Sequence, residues 1–308
     1  MAAWVDRSLA DTGIRRTAPA TLVRSWARSG LLSVETDRGR FWAKAVPEVF
    51  AHEVALAVLL TDVDPGSVAP PLAAEVPAGR VITGHIEGPL LADVREEPAG
   101  WTATLARLAE LQRVLAADTT ALEMAGVARS GVGDLAGEVD RLLGDDRLLR
   151  VGQPDGLGAA EVSRLRGMAD RLATACRDLD ASGVPESLDH GDLHPRQVIV
   201  GAMGPVILDW SDGSITHPFL SAAAFIEDPA ARGDGVPDRA ELADAYLGPW
   251  VASGAVAAET GRRALDLATT ILPVHTAALY ADRVLPGLGW PDDPDVTGVV
   301  PAMLRRLL

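Results

Sequence analysis

Apolar residues change their period along this chain, and the change divides it in two. From Thr21 to Val46 they come in short β-prone runs, Leu22 to Ala27, Leu31 to Thr36 and Arg40 to Val46, separated by Ser29-Gly30 and by Asp37-Arg38-Gly39. Runs punctuated in this way predict a three-stranded meander. Pro47-Glu48 then opens a helix through VFAHEVALAVLL, with proline at the helix start, where its missing N–H costs nothing. A Pro-rich connection, Asp64 to Pro71, leads to a further strand at Arg80 to Thr83. The first twenty residues read as a short helix or an arm packed on this β-rich part.

Past residue 84 the helical period takes over. Trp101 to Ala117 places Leu105, Leu108, Leu111, Val114 and Leu115 on one face. Further helices are expected at Leu135 to Leu143, Ala159 to Leu179, Phe219 to Ile226, Arg239 to Leu247, Val256 to Ala281 and Val296 to Leu308, with Pro273 able to kink the longest. The pattern therefore predicts an α+β chain, β-rich at first and mainly helical afterwards, with no internal repeat.

One stretch interrupts the helical half: SLDHGDLHPRQVIVGAMGPVILDW, Ser187 to Trp210. His190-Gly191-Asp192 opens a polar turn, and Val198 to Val200 with Pro205 to Leu208 form a hairpin. Asp192 precedes the first strand and Asp209 closes the second, so both carboxylates, with Gln197, emerge at one end. Two carboxylates and a neutral oxygen donor can bind a hard cation such as Mg²⁺ and orient a hydroxyl nucleophile.

Composition narrows the setting. The chain has 308 residues, ample for a core, and no run approaches the roughly 20 apolar residues of a membrane helix. Acids within the opening MAAWVDRSLADTGIRR argue against a secretion signal, and the single cysteine, Cys176, suits a reducing compartment as a small buried hydrophobe. A cytoplasmic, non-membrane protein is expected. A net charge of −15 disfavours nucleic acid and favours a cationic partner, though it also serves solubility. There is no asparagine, and Lys44, in FWAKAV, is the only lysine among otherwise Arg-based cations. A lysine retained against that bias marks a site needing a compact point charge. Glu53 follows nine positions later on the next helix.

HGDLHPRQ followed by ILDW resembles the HGDxHxxN…IDW motif of aminoglycoside phosphotransferases and related small-molecule kinases, which is similar to the paired aspartates of protein kinases. The resemblance implies a bilobal protein-kinase-like fold: a small β-sheet lobe with one helix (1–84) that binds nucleotide, and a larger, mainly helical lobe (85–308) that holds the catalytic loop and the substrate. It implies Asp192 as catalytic base, His190 bracing the catalytic loop through backbone near Asp209, and Asp209 with Gln197 as metal ligands. Gln197 stands where the family usually has Asn; maltokinase-like members also carry Gln there. Lys44, held by Glu53, would contact the phosphates, Ser29 and Gly30 would cover them, and Thr83, Gly84, His85 and Ile86 would form the hinge. His217-Pro218 replaces a GDP-type triplet, and Asp212 reads as a helix N-cap in preference to a group supporting the metal ligands from behind.

The implied cofactors are Mg²⁺ and ATP or GTP, and the implied partner is a small-molecule hydroxyl acceptor on a monomer or dimer. Antibiotic kinases suggest an aminoglycoside or a tuberactinomycin-type peptide, hence antibiotic resistance; amino sugars, choline-like alcohols and maltose fit as well. Glu227, Asp228 and Asp282 are the acids that can face a cationic substrate. Two alternatives stand beside this: a non-catalytic nucleotide-binding relative, and a metal-dependent phosphoesterase using the HGDLH segment with Asp209 and His217.

Overall fold

A computed structural model describes residues 1–308. Helix α1 (Ala2–Asp11) precedes a five-stranded antiparallel sheet built from β1 (Thr21–Trp26), β2 (Ser29–Thr36), β3 (Gly39–Ala45), β4 (Pro71–Glu75) and β5 (Arg80–Gly84), in the order β1-β2-β3-β5-β4. Helix α2 (His52–Val63) lies between β3 and β4 in the chain. Side chains alternate across a strand. In β3, Ala43 therefore joins Trp4, Val5, Leu9, Val34 and Ile82 in a small separate core beneath α1. Trp42 and Lys44 take the other face, which lines the cleft between the lobes.

Two details differ from the sequence expectation. The connection after α2 ends in the edge strand β4, whose PLAAE lacks β-branched residues and starts on proline, which an edge strand tolerates. The first turn also lies upstream of Ser29-Gly30. Trp26 pairs with Ser29 and Ser25 with Gly30, so the turn is Ala27-Arg28 and both Ser29 and Gly30 belong to β2. A glycine signalled the turn, but here a glycine-free pair makes it.

The large lobe packs α3 (Pro98–Ala116), α4 (Thr120–Met124), α5 (Val132–Gly144), α6 (Ala159–Arg166), α7 (Ala169–Asp180), α8 (Phe219–Ile226), α9 (Arg239–Ala252) and α10 (Ala258–Leu279) around one apolar core. The helix expected over Ala159 to Leu179 is two helices, because α6 ends at Gly167. Helix α10 touches α5, α7, α8 and α9, and passes at its end into a π-helical turn, Tyr280–Val284. No helix is long and apolar enough to cross a membrane.

Four short strands follow in the large lobe. β6 (Ser187–Asp189) pairs with β9 (Ser214–Thr216), and β7 (Val198–Gly201) with β8 (Gly204–Ile207). The first ladder joins the segment entering the His190-Gly191-Asp192 turn to the segment that follows Asp209.

Candidate active site

The cleft holds a cavity of ≈ 520 Å³, within the size range of small-molecule sites. Lys44, Glu53, Gln197 and Asp209 line it, as do Ser29 and the segment Thr83, Gly84, His85 and Ile86. Gly30 lies in the strand beside it, paired to Ala45. Trp42 donates its indole N–H to His85 Nδ1 at 3.1 Å, tying β3 to that segment.

Lys44 Nζ lies 2.6 Å from Glu53 Oε1 and 2.8 Å from Asp209 Oδ1. Burial works against its charge, but these two carboxylates hold the ammonium's pKa well above its usual value. Asp209 is likewise opposed by burial, yet Lys44 and a hydrogen bond with Ser211 pull it well below the usual carboxylate range. Asp209 adopts φ = 58°, a left-handed backbone that costs a non-glycine residue about 1 kcal/mol. That conformation turns the chain out of the β8 direction.

His190, fully buried, stitches the two carboxylate segments together. Its Nε2 donates to Leu208 O at 2.8 Å, which leaves Nδ1 to accept from the Asp192 N–H at 3.4 Å. Burial lowers its pKa to about 4, so it stays neutral in this role. Gln197 is fixed by its backbone: its N–H donates to His194 O and its carbonyl accepts from Leu208 N, both at 2.8 Å. The residues flanking Asp209 and Gln197 are thus paired across the open end of the hairpin.

Asp192 carries a half-exposed carboxylate, 52% accessible, and is not among the residues lining the cavity. Its enclosed setting, and then the carboxylate of Asp212, raise its pKa to about 7, with Arg28 opposing the rise. Asp209 and Asp228 add to the increase, and His194 Nε2 lies 3.9 Å from Oδ2. Near neutrality such a carboxylate is poised between proton acceptor and donor.

A family model described as the phosphotransferase enzyme family matches residues 33–265. The chain belongs to the phosphotransferase enzyme family. No curated protein matches it at a significant level. Solved structures share the fold at low identity. A choline kinase from Streptococcus pneumoniae is 12% identical, with a TM-score of 0.63 over 99% of this chain and 98% of that one. A type I macrolide 2′-phosphotransferase is 15% identical, with 0.62 over 99% and 96%. An ethanolamine kinase from Plasmodium vivax is 13% identical, with 0.60 over 94% and 81%. The fold is the bilobal α+β fold of protein-kinase-like phosphotransferases.

The remaining residues of this phosphotransferase separate cleanly. Asp228 caps the Pro229–Ala231 turn, its carboxylate accepting from the Ala230 N–H at 2.7 Å, and its charge acts on both Asp192 and His194. Glu227 instead pairs with Arg232 at 3.1 Å and Arg239 at 3.0 Å beside a second cavity of ≈ 430 Å³. Asp282 pairs with Arg141 at 2.7 Å on the surface. His217 is buried against Ser182 and caps no carboxylate cluster, and no three His, Cys, Asp or Glu side chains converge as a metal cage.

Asp212 is not a helix cap. It accepts from Arg28 Nη2 at 2.5 Å, and α8 starts after Pro218. Arg28 and a buried polar network below the catalytic turn are the residues that sequence patterns missed. In that network Gln112 Nε2 donates to Leu188 O at 2.8 Å and Pro218 O at 3.1 Å, Tyr246 donates to Gln112 Oε1 at 2.6 Å, and Ser221 bridges Asp189 to the His190 N–H. A faint signal existed: Gln112 is a polar residue beside Leu108, Leu111 and Leu115 on the apolar stripe of its helix.

Proposed function

We propose that the protein transfers the γ-phosphoryl group of ATP or GTP to a hydroxyl of a small, cationic molecule. The observation that carries this is the Lys44 ammonium, held between Glu53 and Asp209 at one wall of a nucleotide-sized cavity that Gln197 also lines, with His190 linking the Asp209 segment to Asp192. In phosphoryl transfer the protein's work is alignment and charge compensation. Residues 1–84 would hold the nucleotide and residues 85–308 the acceptor. Lys44 would bind the phosphates, with Thr83 to Ile86 bordering the base and Ser29 and Gly30 at the root of the covering turn. Asp192 would orient the acceptor hydroxyl and take its proton.

Mg²⁺ suits the donor set. It needs only one or two protein oxygens, completed by phosphates and water, and Asp209 with Gln197 supplies a carboxylate and an amide oxygen at one hairpin end. When bound with the triphosphate, Mg²⁺ supplies charge neutralisation on the oxygens of the transferring group. His190 keeps Asp192 and the Asp209 segment in register.

The acceptor class rests on the acidic chain and on Asp228 beside Asp192. Aminoglycosides, tuberactinomycin-type peptides and other cationic antibiotics come first, with an antibiotic-resistance role following from any of them. Choline-like alcohols and amino sugars are the second group, since kinases named for choline and ethanolamine share the fold. The deciding experiment is a coupled ATP and GTP consumption screen over cationic antibiotics, macrolides, amino sugars, choline and ethanolamine. Mass spectrometry of each acceptor should find one added phosphate. Absence of product from every class would favour the binding-only alternative.

A further inference from the structure

Arg28, at the tip of the β1–β2 turn, crosses from the small lobe to the large one. Only 7% of it is accessible. Its Nη2 donates to Ser211 Oγ at 3.0 Å and to Asp212 Oδ1 at 2.5 Å, and its Nη1 donates to Tyr280 Oη. The guanidinium centre lies 4.8 Å from the Phe50 ring and 5.5 Å from that of Trp26, both of the small lobe. Asp212, itself 1% accessible, leans on the catalytic turn. A Cβ added to Gly191, at φ = 80°, would come within 2.4 Å of Asp212 O and 2.7 Å of Asp212 Cβ. Only glycine allows that approach. A continuous chain of contacts therefore runs from the tip of the small lobe through Asp212 to the residue preceding Asp192.

We propose that Arg28 is a positioning residue that couples seating of the β1–β2 turn to the catalytic turn through Asp212. A nearly buried guanidinium holding a buried carboxylate across a lobe interface has two effects. It fixes the Ser211 to Gly213 backbone against Gly191, and it compensates a charge that otherwise acts on Asp192. The charged groups facing Asp192 are Asp212, Asp209, Asp228, Arg28 and His194; those facing Arg28 are Asp212, Asp209, Tyr280 and Arg283. Arg283 donates to Gly213 O at 2.9 Å, so the π-helical turn grips the same segment from behind. The catalytic consequence rests on the kinase function proposed above; the mechanical coupling does not.

The test uses the full chain as R28Q, R28K, D212N and R28Q/D212N. Hydrogen exchange followed by mass spectrometry, without nucleotide, should show R28Q accelerating exchange about fivefold in peptides over 187–194 and 209–217, and not only over 21–36. R28K should fall between wild type and R28Q, and D212N added to R28Q should change little more. With Mg-ATP or Mg-GTP and water as acceptor, R28Q should lower kcat about tenfold with KM within about twofold. The acid limb of kcat should move to higher pH in R28Q and return in the double variant. Exchange altered only in the β1–β2 peptides, additive R28Q and D212N effects, or a raised KM at unchanged kcat would each overturn the proposal. Coupled exchange in a chain that turns over neither nucleotide would support the coupling and count against the kinase function.

Discussion

The ammonium of Lys44 lies 2.8 Å from the carboxylate of Asp209, which is 165 positions away in the chain and in the other lobe. The same nitrogen lies 2.6 Å from Glu53, so a compact cation closes a three-way contact between strand, helix and catalytic segment. A planar guanidinium cannot sit within that distance of both carboxylates without moving one of them. Lys44→Arg is expected to lower kcat/KM for nucleotide about 100-fold, close to the effect of Lys44→Met. Steady-state kinetics with the best acceptor from the screen checks this. An Arg variant within about threefold of wild type would show that charge alone suffices there.

Asp192 yields a pH prediction with opposite signs for activity and stability. Burial and Asp212 raise its pKa to about 7, so kcat should fall tenfold per pH unit below that value as the base is protonated. Asp192→Asn should reduce transfer by about 10²–10⁴-fold while leaving nucleotide binding, measured by calorimetry, nearly unchanged. For stability, the folded chain holds this proton more tightly than the unfolded chain does, so stability is lost as pH rises from about 4 towards 7. The carboxylate is half exposed and solvent screens the penalty, so the asparagine variant should gain only about 1 °C in Tm at pH 8 and nothing at pH 4. A loss at pH 8 would contradict the sign.

Local periodicity carried most of the architecture. The cleft-facing strand of Lys44, the helix of Glu53 and the hairpin between Gln197 and Asp209 are each written within a few neighbouring residues, where alternation and turn chemistry act. What stayed hidden depends on tertiary packing. Arg28 sits 184 positions from Asp212 and 252 from Tyr280, so nothing in the turn's own sequence shows where its side chain ends. The three-residue strands β6 and β9 are too short to display a period and exist because they pair with each other. Asp212 looked like a cap because a short polar residue ahead of a helix usually is one. Among the acids suggested for a substrate, the charge of Asp228 reaches the catalytic turn while Glu227 and Asp282 are taken by arginines, a division that needs three dimensions.

The network under the catalytic turn should be as sensitive as the turn itself. Gln112→Leu keeps the volume but strands the carbonyl of Leu188 and the hydroxyl of Tyr246 in a buried interior, while Pro218 O keeps the Ser221 N–H. Leaving such groups unpaired costs about 1–3 kcal/mol each, so thermal unfolding should fall by several degrees. Because Leu188 leads directly into His190, kcat should drop more than KM. A stability loss with unchanged kcat would confine Gln112 to a packing role.

Gln197 gives a prediction about the metal requirement of the proposed reaction. Its backbone is clamped on both sides, by His194 O and by Leu208 N at 2.8 Å each, so substitution of its half-buried side chain should leave the hairpin intact. The side chain lines the cavity and is one methylene longer than asparagine, so its amide has a longer reach from the same anchor. If the amide oxygen completes the metal's protein ligands, Gln197→Ala leaves Asp209 to do so alone. The Mg²⁺ concentration giving half-maximal transfer should then rise about tenfold, with nucleotide affinity in the absence of metal unchanged. Gln197→Asn restores an oxygen but shortens the reach, so it should fall between the two, and raising Mg²⁺ should rescue both variants. If the Mg²⁺ requirement of Gln197→Ala matched that of wild type, the amide would not be a ligand, and Asp209 with the triphosphate would account for the metal unaided.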